Sequence, residues 1–379
     1  MSAMRLVVLT MALLTASWLA GPVLAQPESE PAVATEPSSG DVSLFDPQDG
    51  YLDASAWLAT RFGFLPVPVI VTEPAVGYGL GLAGIWFHEM PVKKPSGQTY
   101  FPSLSGAVYL ETENETRMAG GFHMQSWKDD DWRYTGFLAR ADINLESQTD
   151  LERPLQYNLN GDFLLQRISL RLDDFWRLGA HYLYAGGNVQ FEREELTLDT
   201  VSSALGLQLY YDGLDNPFSP SSGAMLQFEP EYFAEQLGSD VSFAKWTLDA
   251  QYYLPLGRHR LAGRLVGGWA DQKAPFYNQP FIMLRGVPKM GYLGTEVAAI
   301  EVEWAYNLHP RWQVLAFAGA GHSSSERGLR VAESASVEAG GLGFRYLLAS
   351  RLGLRVGADL TANSDDDYNL TLVVGTAWF

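Results

Sequence analysis

Polar and apolar residues alternate along most of the chain after Gly63. In "EVEWAYNL", Glu301, Glu303, Ala305 and Asn307 fall on one face, and Val302, Trp304, Tyr306 and Leu308 on the other. In "RLGLRVGADL", Arg355, Gly357 and Asp359 oppose Leu354, Val356, Ala358 and Leu360; "RYTGFLARADINL" and "GGLGFRYLL" behave alike. A period of two is that of a strand with one apolar face. After Gly63 there is neither a sustained helical stripe nor the run of ~18 apolar residues that a membrane helix needs.

A soluble sandwich and a membrane barrel both fit this pattern. The polar faces carry Arg, Glu, Asp and many glycines, as a wet lumen does. The apolar faces carry Leu, Val and Phe, with Trp and Tyr near strand ends in "DFWRLGAHYLYAGG" and "DAQYYLPL", like interfacial girdles. Turn signals divide the chain into about 15 or 16 long strands, and bacterial barrels favour even numbers. The tight connections "NLHPRW" and "LASRLG" contrast with the long stretches 273–295 and 322–334, as periplasmic turns contrast with outer loops. The pattern predicts an all-β, 16-stranded antiparallel transmembrane β-barrel over 61–379. A soluble sandwich adhesin is the competing reading.

The first 25 residues read as a signal peptide: one Arg, an apolar run from Leu6 to Ala20, a Gly-Pro break and Val23-Leu24-Ala25. Residues 26–60 hold Glu28, Glu30, Glu36, Asp41, Asp46, Asp49 and Asp53 among prolines and serines, and read as a mostly disordered periplasmic segment. With no cysteine, the chain has neither a lipoprotein anchor nor disulfides. A net charge of −18 excludes nucleic acid as a partner, while 13% aromatic residues argue against general disorder.

Signals for catalysis are weak. His322-Ser323 in "GHSSS" has no nucleophile-elbow context, and the chain reads as a non-enzyme without a cofactor. "KDDDW" and "SDDDY" lack the spacing of a calcium loop and read as solvated loop ends rather than a metal site.

"QPFIMLRGVPKMGYLG", 279–294, stands apart: an arginine between an apolar run and glycines, with no acid. "LRGVP", with "EVAAIEVEWAYNL" about ten residues on, resembles the lid-loop motif of the BamA/TamA surface-antigen barrels, here Leu284, Arg285 and Gly286. "YYDGLDNPFSPSSGAMLQFEPEYF" resembles the family's periplasmic turn, with Asp212, Asp215, Asn216, Pro217, Pro220 and Gly223. "GGLGFRYLLASRLGLRVGADL" is similar to its penultimate hairpin, and "GFLPVPVIVTEPAVGYGLGLAG" to its opening one. The resemblance implies five strands after the lid, at about 296–308, 311–322, 334–349, 350–362 and 366–379. It also implies a C-terminal assembly signal, with Gly375, Trp378 and Phe379, read by the outer-membrane assembly machinery.

The chain departs from the family in three ways. Val287 stands where an aromatic is usual. Gly319 in "FAGAG" stands where an acid commonly helps to hold the lid arginine. The stretch 26–60 is too short for even one periplasmic POTRA module. The resemblance implies a lid folded into the lumen, with its arginine docked on wall acids. A guanidinium keeps its proton and needs carboxylates or carbonyls. Alternation places Glu301, Glu303 and Asp359 on the luminal face as candidate partners; the plain alternative leaves Arg285 in an exposed outer loop.

The expected location is the Gram-negative outer membrane, against lipid and lipopolysaccharide, with a periplasmic partner left open. The expected function is insertion or translocation of protein or lipid. The alternative is a solute pore or structural surface antigen with no assembly activity.

Overall fold

In the computed structural model of the protein, the described residues are 44–55, 57, 64–88, 103–147, 155–191, 195–216, 218–325, 334–350 and 353–378. Residues 1–43, Arg351, Pro217 and Phe379 lie outside them. The strands, in chain order, are β1 Phe64–Glu73, β2 Gly77–Phe87, β3 Leu104–Thr112, β4 Arg117–Trp127, β5 Trp132–Ser147, β6 Leu155–Arg171, β7 Trp176–Phe191 and β8 Leu196–Asp212. They continue as β9 Gly223–Phe233, β10 Phe243–Leu256, β11 His259–Ala270, β12 Glu296–His309, β13 Trp312–Ser324, β14 Ser334–Ala349, β15 Leu354–Asn363 and β16 Tyr368–Val374. Each pairs antiparallel with the next, in a single sheet whose order follows the chain from β1 to β16.

The sheet curls into a nearly closed barrel. β1 and β16 come together, with the Leu372 amide donating to Thr72 Oγ1 at 3.2 Å, but among the described residues no ladder joins them. An even strand number puts both termini at one end. The longest connection, 271–295, leaves from the other, so the ends are periplasmic and extracellular respectively.

Alternation sorts the side chains as a membrane barrel requires. Ile70, Leu80, Leu138, Ile300, Val302 and Leu360 are exposed on the outer face. Neighbours one position away turn inward: Glu301 is 3% exposed and Asp359 1%. Aromatic pairs such as Trp304–Tyr306 and Phe64–Trp86 lie near strand ends, where an interfacial girdle belongs. The inner wall of β6–β10 is also polar: Arg167 and Gln208 both donate to Glu229, at 2.6 and 3.0 Å, and His181 pairs with Glu231 at 3.0 Å.

Two features of the periplasmic end were not legible in advance. In the "KDDDW" turn, Asp130 is not solvated: it is buried and ion-paired to Arg133 at 2.6 Å and to Arg177 at 2.9 Å. The last part of the acidic stretch, 44–55, is held against the rim by Arg311 in the β12–β13 turn. Arg311 reaches Asp46 at 2.6 Å, Asp49 at 2.5 Å and Asp53 at 2.8 Å. The Ala54 amide donates to the Leu348 carbonyl at 2.7 Å, and the Tyr346 hydroxyl to the Leu52 carbonyl at 2.6 Å. One cation among three carboxylates is a strong, charge-assisted clamp.

Burial alone would raise the Asp53 pKa, but hydrogen bonds from Ser350, Ser55 and Arg311 outweigh it and hold the carboxyl well below its ordinary 3.8. A depressed pKa stabilises the docked state above the ordinary value, and that contribution is lost only as pH falls through the lowered one. Residues 44–55 should therefore resist proteolysis at pH 7 and at pH 5, and Arg311→Ala should expose them at both. Equal cleavage rates in the variant and the parent would show that the clamp does not hold this segment.

Candidate functional site

The connection 271–295 turns back into the barrel and lies against its inner wall. It closes on itself first: the Ile282 amide donates to Tyr292 at 3.0 Å and the Gly294 amide to Pro280 at 3.1 Å, beside a bridge between Phe281 and Leu293. Lys245 Nζ donates to the Asn278 carbonyl at 2.9 Å, and Lys289 pairs with Glu73 of β1 at 2.7 Å.

Wall glycines make room for it. A Cβ at Gly268 would stand 2.6 Å from Pro280, and one at Gly319 2.9 Å from Leu284; Gly321 lies under Ile282. Gly319, noted in the sequence for the acid it lacks, thus gives Leu284 a seat. Ile282, Met290 and Leu293 are all buried, and burying such a side chain stabilises by roughly 1.5–3 kcal/mol.

Arg285 lies at the centre, its side chain 8% exposed. Its Nε donates to Glu301 Oε1 at 2.5 Å, and Nη1 lies 2.7 Å from Glu303 Oε2 and 3.5 Å from Asp359 Oδ2. Its backbone amide donates to Glu301 Oε2 at 3.2 Å, and its guanidinium carbon sits 3.6 Å from the Phe317 ring centroid. The structure thus brings together all three acids named from alternation.

Each acid has a second donor. Glu303 pairs with Arg260, Asp359 takes a two-bonded contact from Arg345 at 2.6 and 2.8 Å, and Glu301 accepts from the indole of Trp378. With Arg264 on Asp249 at 2.5 Å, four arginines meet four carboxylates. Such matching is what low-dielectric surroundings demand of fixed charges.

Gly286 next door adopts φ +80, and a Cβ there would meet Thr361 at 2.6 Å, so the position needs glycine on both counts. Its carbonyl accepts from Asn363 at 3.2 Å and Asn369 at 3.3 Å. Val287, in place of the family's usual aromatic, is buried in this segment's apolar contacts.

The sequence pointed to a final strand through Phe379, but β16 ends at Val374. Gly375, with φ +83, turns the chain inward, and its amide donates to Arg355 at 2.7 Å. Trp378 is then buried in the lumen, 5.5 Å from the Tyr253 ring, with its carbonyl accepting from Gln251 at 3.4 Å. No spacing rule marks this change of role; the one local signal is a glycine just before a short polar-aromatic tail.

The 213–222 turn sits at the periplasmic end. Asp215 accepts from the amides of Asn216, Ser221 and Ser222 at 3.0, 2.9 and 3.0 Å, and Asn216 from those of Phe218 and Ser219. Asp212 accepts from the Leu214 amide at 3.4 Å, the Pro220 carbonyl accepts from Arg260 at 2.7 Å, and Gly223 adopts φ +104. These residues fold a turn; Gly353 and Gly375 pack against Asn216 and Phe218.

A barrel with an apolar outer belt and a polar lumen is a membrane barrel of the bacterial outer-membrane class. An Omp85 superfamily domain model matches residues 94–282, ending three residues short of Arg285. The fold is similar to that of BamA from Haemophilus ducreyi lacking POTRA domains 1–3, with TM-score 0.61, 10% identity, and coverage of 83% of this chain and 70% of that one. It is also similar to CdiB from Escherichia coli (TM-score 0.57, 11% identity, 82% and 61% covered) and from Acinetobacter baumannii (0.53, 13%, 81% and 57%), so the chain spans about three fifths of each CdiB. No curated protein matches it. Residues 94–282 thus match the Omp85 superfamily, the barrel fold is the one seen in BamA and CdiB, and the chain's place is the Gram-negative outer membrane.

Removing Arg285 leaves three luminal acids one donor short. Losing one partner of a buried pair costs roughly 3–5 kcal/mol, and the lower end applies here because each acid keeps a second donor. Arg285→Ala should raise both protease cleavage within 279–294 and single-channel conductance in planar bilayers. Arg285→Lys should recover only part of the effect, since an ammonium lacks the planar fork. Parent-like conductance and cleavage in Arg285→Ala would overturn this role.

Proposed function

We infer that the barrel passes protein or lipid between the periplasm and the outer membrane through the seam between β1 and β16, with 279–294 as its lid. One observation carries this reading: the seam is not laddered, and a cavity of 160 Å³ lies behind it, lined by Ile70 and Thr72 of β1, Leu372 and Val373 of β16, and Leu284 and Val287 of the proposed lid. The cavity lies between the unladdered edges of β1 and β16 and the segment 283–289. The family relationship supports the same class of work. A solute pore is less well supported, because the matched charges around Arg285 occupy the space that a conducting path would use.

The chain has no cysteine, so an engineered pair is unambiguous. Thr72→Cys with Leu372→Cys would lock the seam at its one described hydrogen bond. The test is folding of a urea-unfolded outer-membrane barrel into liposomes that contain this protein. The open form should speed folding several-fold, the oxidised form should not, and reductant should restore the effect. Equal acceleration by locked and open forms would exclude the seam as the route for protein. No acceleration, together with a steady large conductance, would favour the pore.

A further inference from the structure

The direction in which each strand aims its backbone groups can be read from its neighbours. The Tyr78 carbonyl accepts from the Glu113 amide at 2.8 Å, so it points toward β3 and away from β1. Tyr78 lies opposite Thr72, and antiparallel pairs alternate between bonded and non-bonded partners. Thr72 and every second residue before it (Ile70, Pro68, Pro66 and Phe64) therefore face the open edge. Two of those five are prolines, which have no N–H to donate.

On β16 the Gly375 amide donates to the Arg355 carbonyl, so odd positions bond to β15 and Tyr368, Leu370, Leu372 and Val374 face the seam. The Leu372 amide, which donates to Thr72 Oγ1, agrees. Continued as an antiparallel ladder, that contact puts Val374 opposite Ile70, Thr376 opposite Pro68 and Trp378 opposite Pro66. The strand ends where the prolines begin.

We propose that Pro66 and Pro68 keep the periplasmic half of the seam unzipped and divert the tail 375–378 into the lumen. In the sheet, the carbonyls of Thr376 and Trp378 would meet prolines. In the lumen, the Trp378 carbonyl accepts from Gln251 and its indole donates to Glu301. The luminal position satisfies the Trp378 carbonyl, which the edge of β1 cannot, and prolines on an edge are a recognised bar to strand addition. A β-strand arriving at the seam meets an interrupted edge on β1 and an N–H at every seam-facing position of β16.

The test reports the position of the tail directly. Val67 and Ala377 stand opposite one another only in the zipped register, at a non-bonded pair where a disulfide fits. Val67→Cys with Ala377→Cys should cross-link poorly under mild oxidation in the otherwise unchanged chain. Adding Pro66→Val and Pro68→Val should raise the cross-linked fraction several-fold, with heat-modifiable migration checking the fold. If the valine pair does not fold, Pro66→Ala with Pro68→Ala restores both donors with less bulk and is read the same way. Efficient cross-linking with the prolines present, or no rise when they are replaced, would overturn the proposal. Because no client takes part, the result is independent of what crosses the seam.

Discussion

Glu301 accepts hydrogen bonds from two parts of the chain that are distant in sequence. Arg285 arrives from the connection between β11 and β12, and Trp378 from the C-terminal tail. A carboxylate this buried is tolerable only with strong donors, because desolvation costs several kcal/mol when it is unmatched. The filling of the lumen and the inward turn of the tail thus share one electrostatic requirement. Removing either donor leaves the acid dependent on the other.

That requirement explains the polarity of the whole barrel. Strands β11–β15 bring Arg260, Arg264, Glu301, Glu303, Arg345 and Asp359 inward because their neighbours one position away are apolar and face lipid. A one-residue slip of β11, β12, β14 or β15 would move charge into the hydrocarbon and turn apolar side chains to the lumen. Register is therefore fixed from both faces. The seam is the exception: there β1 offers prolines in place of donors, and no ladder forms.

The strands were legible because alternation is a local signal, and those after the connection begin and end within a few residues of the expected limits up to Asn363. The three acids around Arg285 were legible for the same reason: parity along a strand fixes the face. What was hidden depends on contacts distant in sequence. Arg311 looked like part of a tight turn, and nothing local ties it to Asp46, Asp49 and Asp53. Gly319 looked like a missing acid, and its use as a seat appears only when Leu284 is placed beside it. Trp378 looked like the end of a strand, since the interruption that stops the strand lies on β1, about three hundred residues earlier.

The central claim is that Arg285 and Trp378 act through one carboxylate. A double-mutant cycle in urea unfolding, with Arg285→Ala, Trp378→Phe and the pair, measures it directly. Residues in one network couple by roughly 0.5–3 kcal/mol, whereas independent sites add to within about 0.3–0.5 kcal/mol. A coupling energy in the first range is expected. Strict additivity would contradict the account.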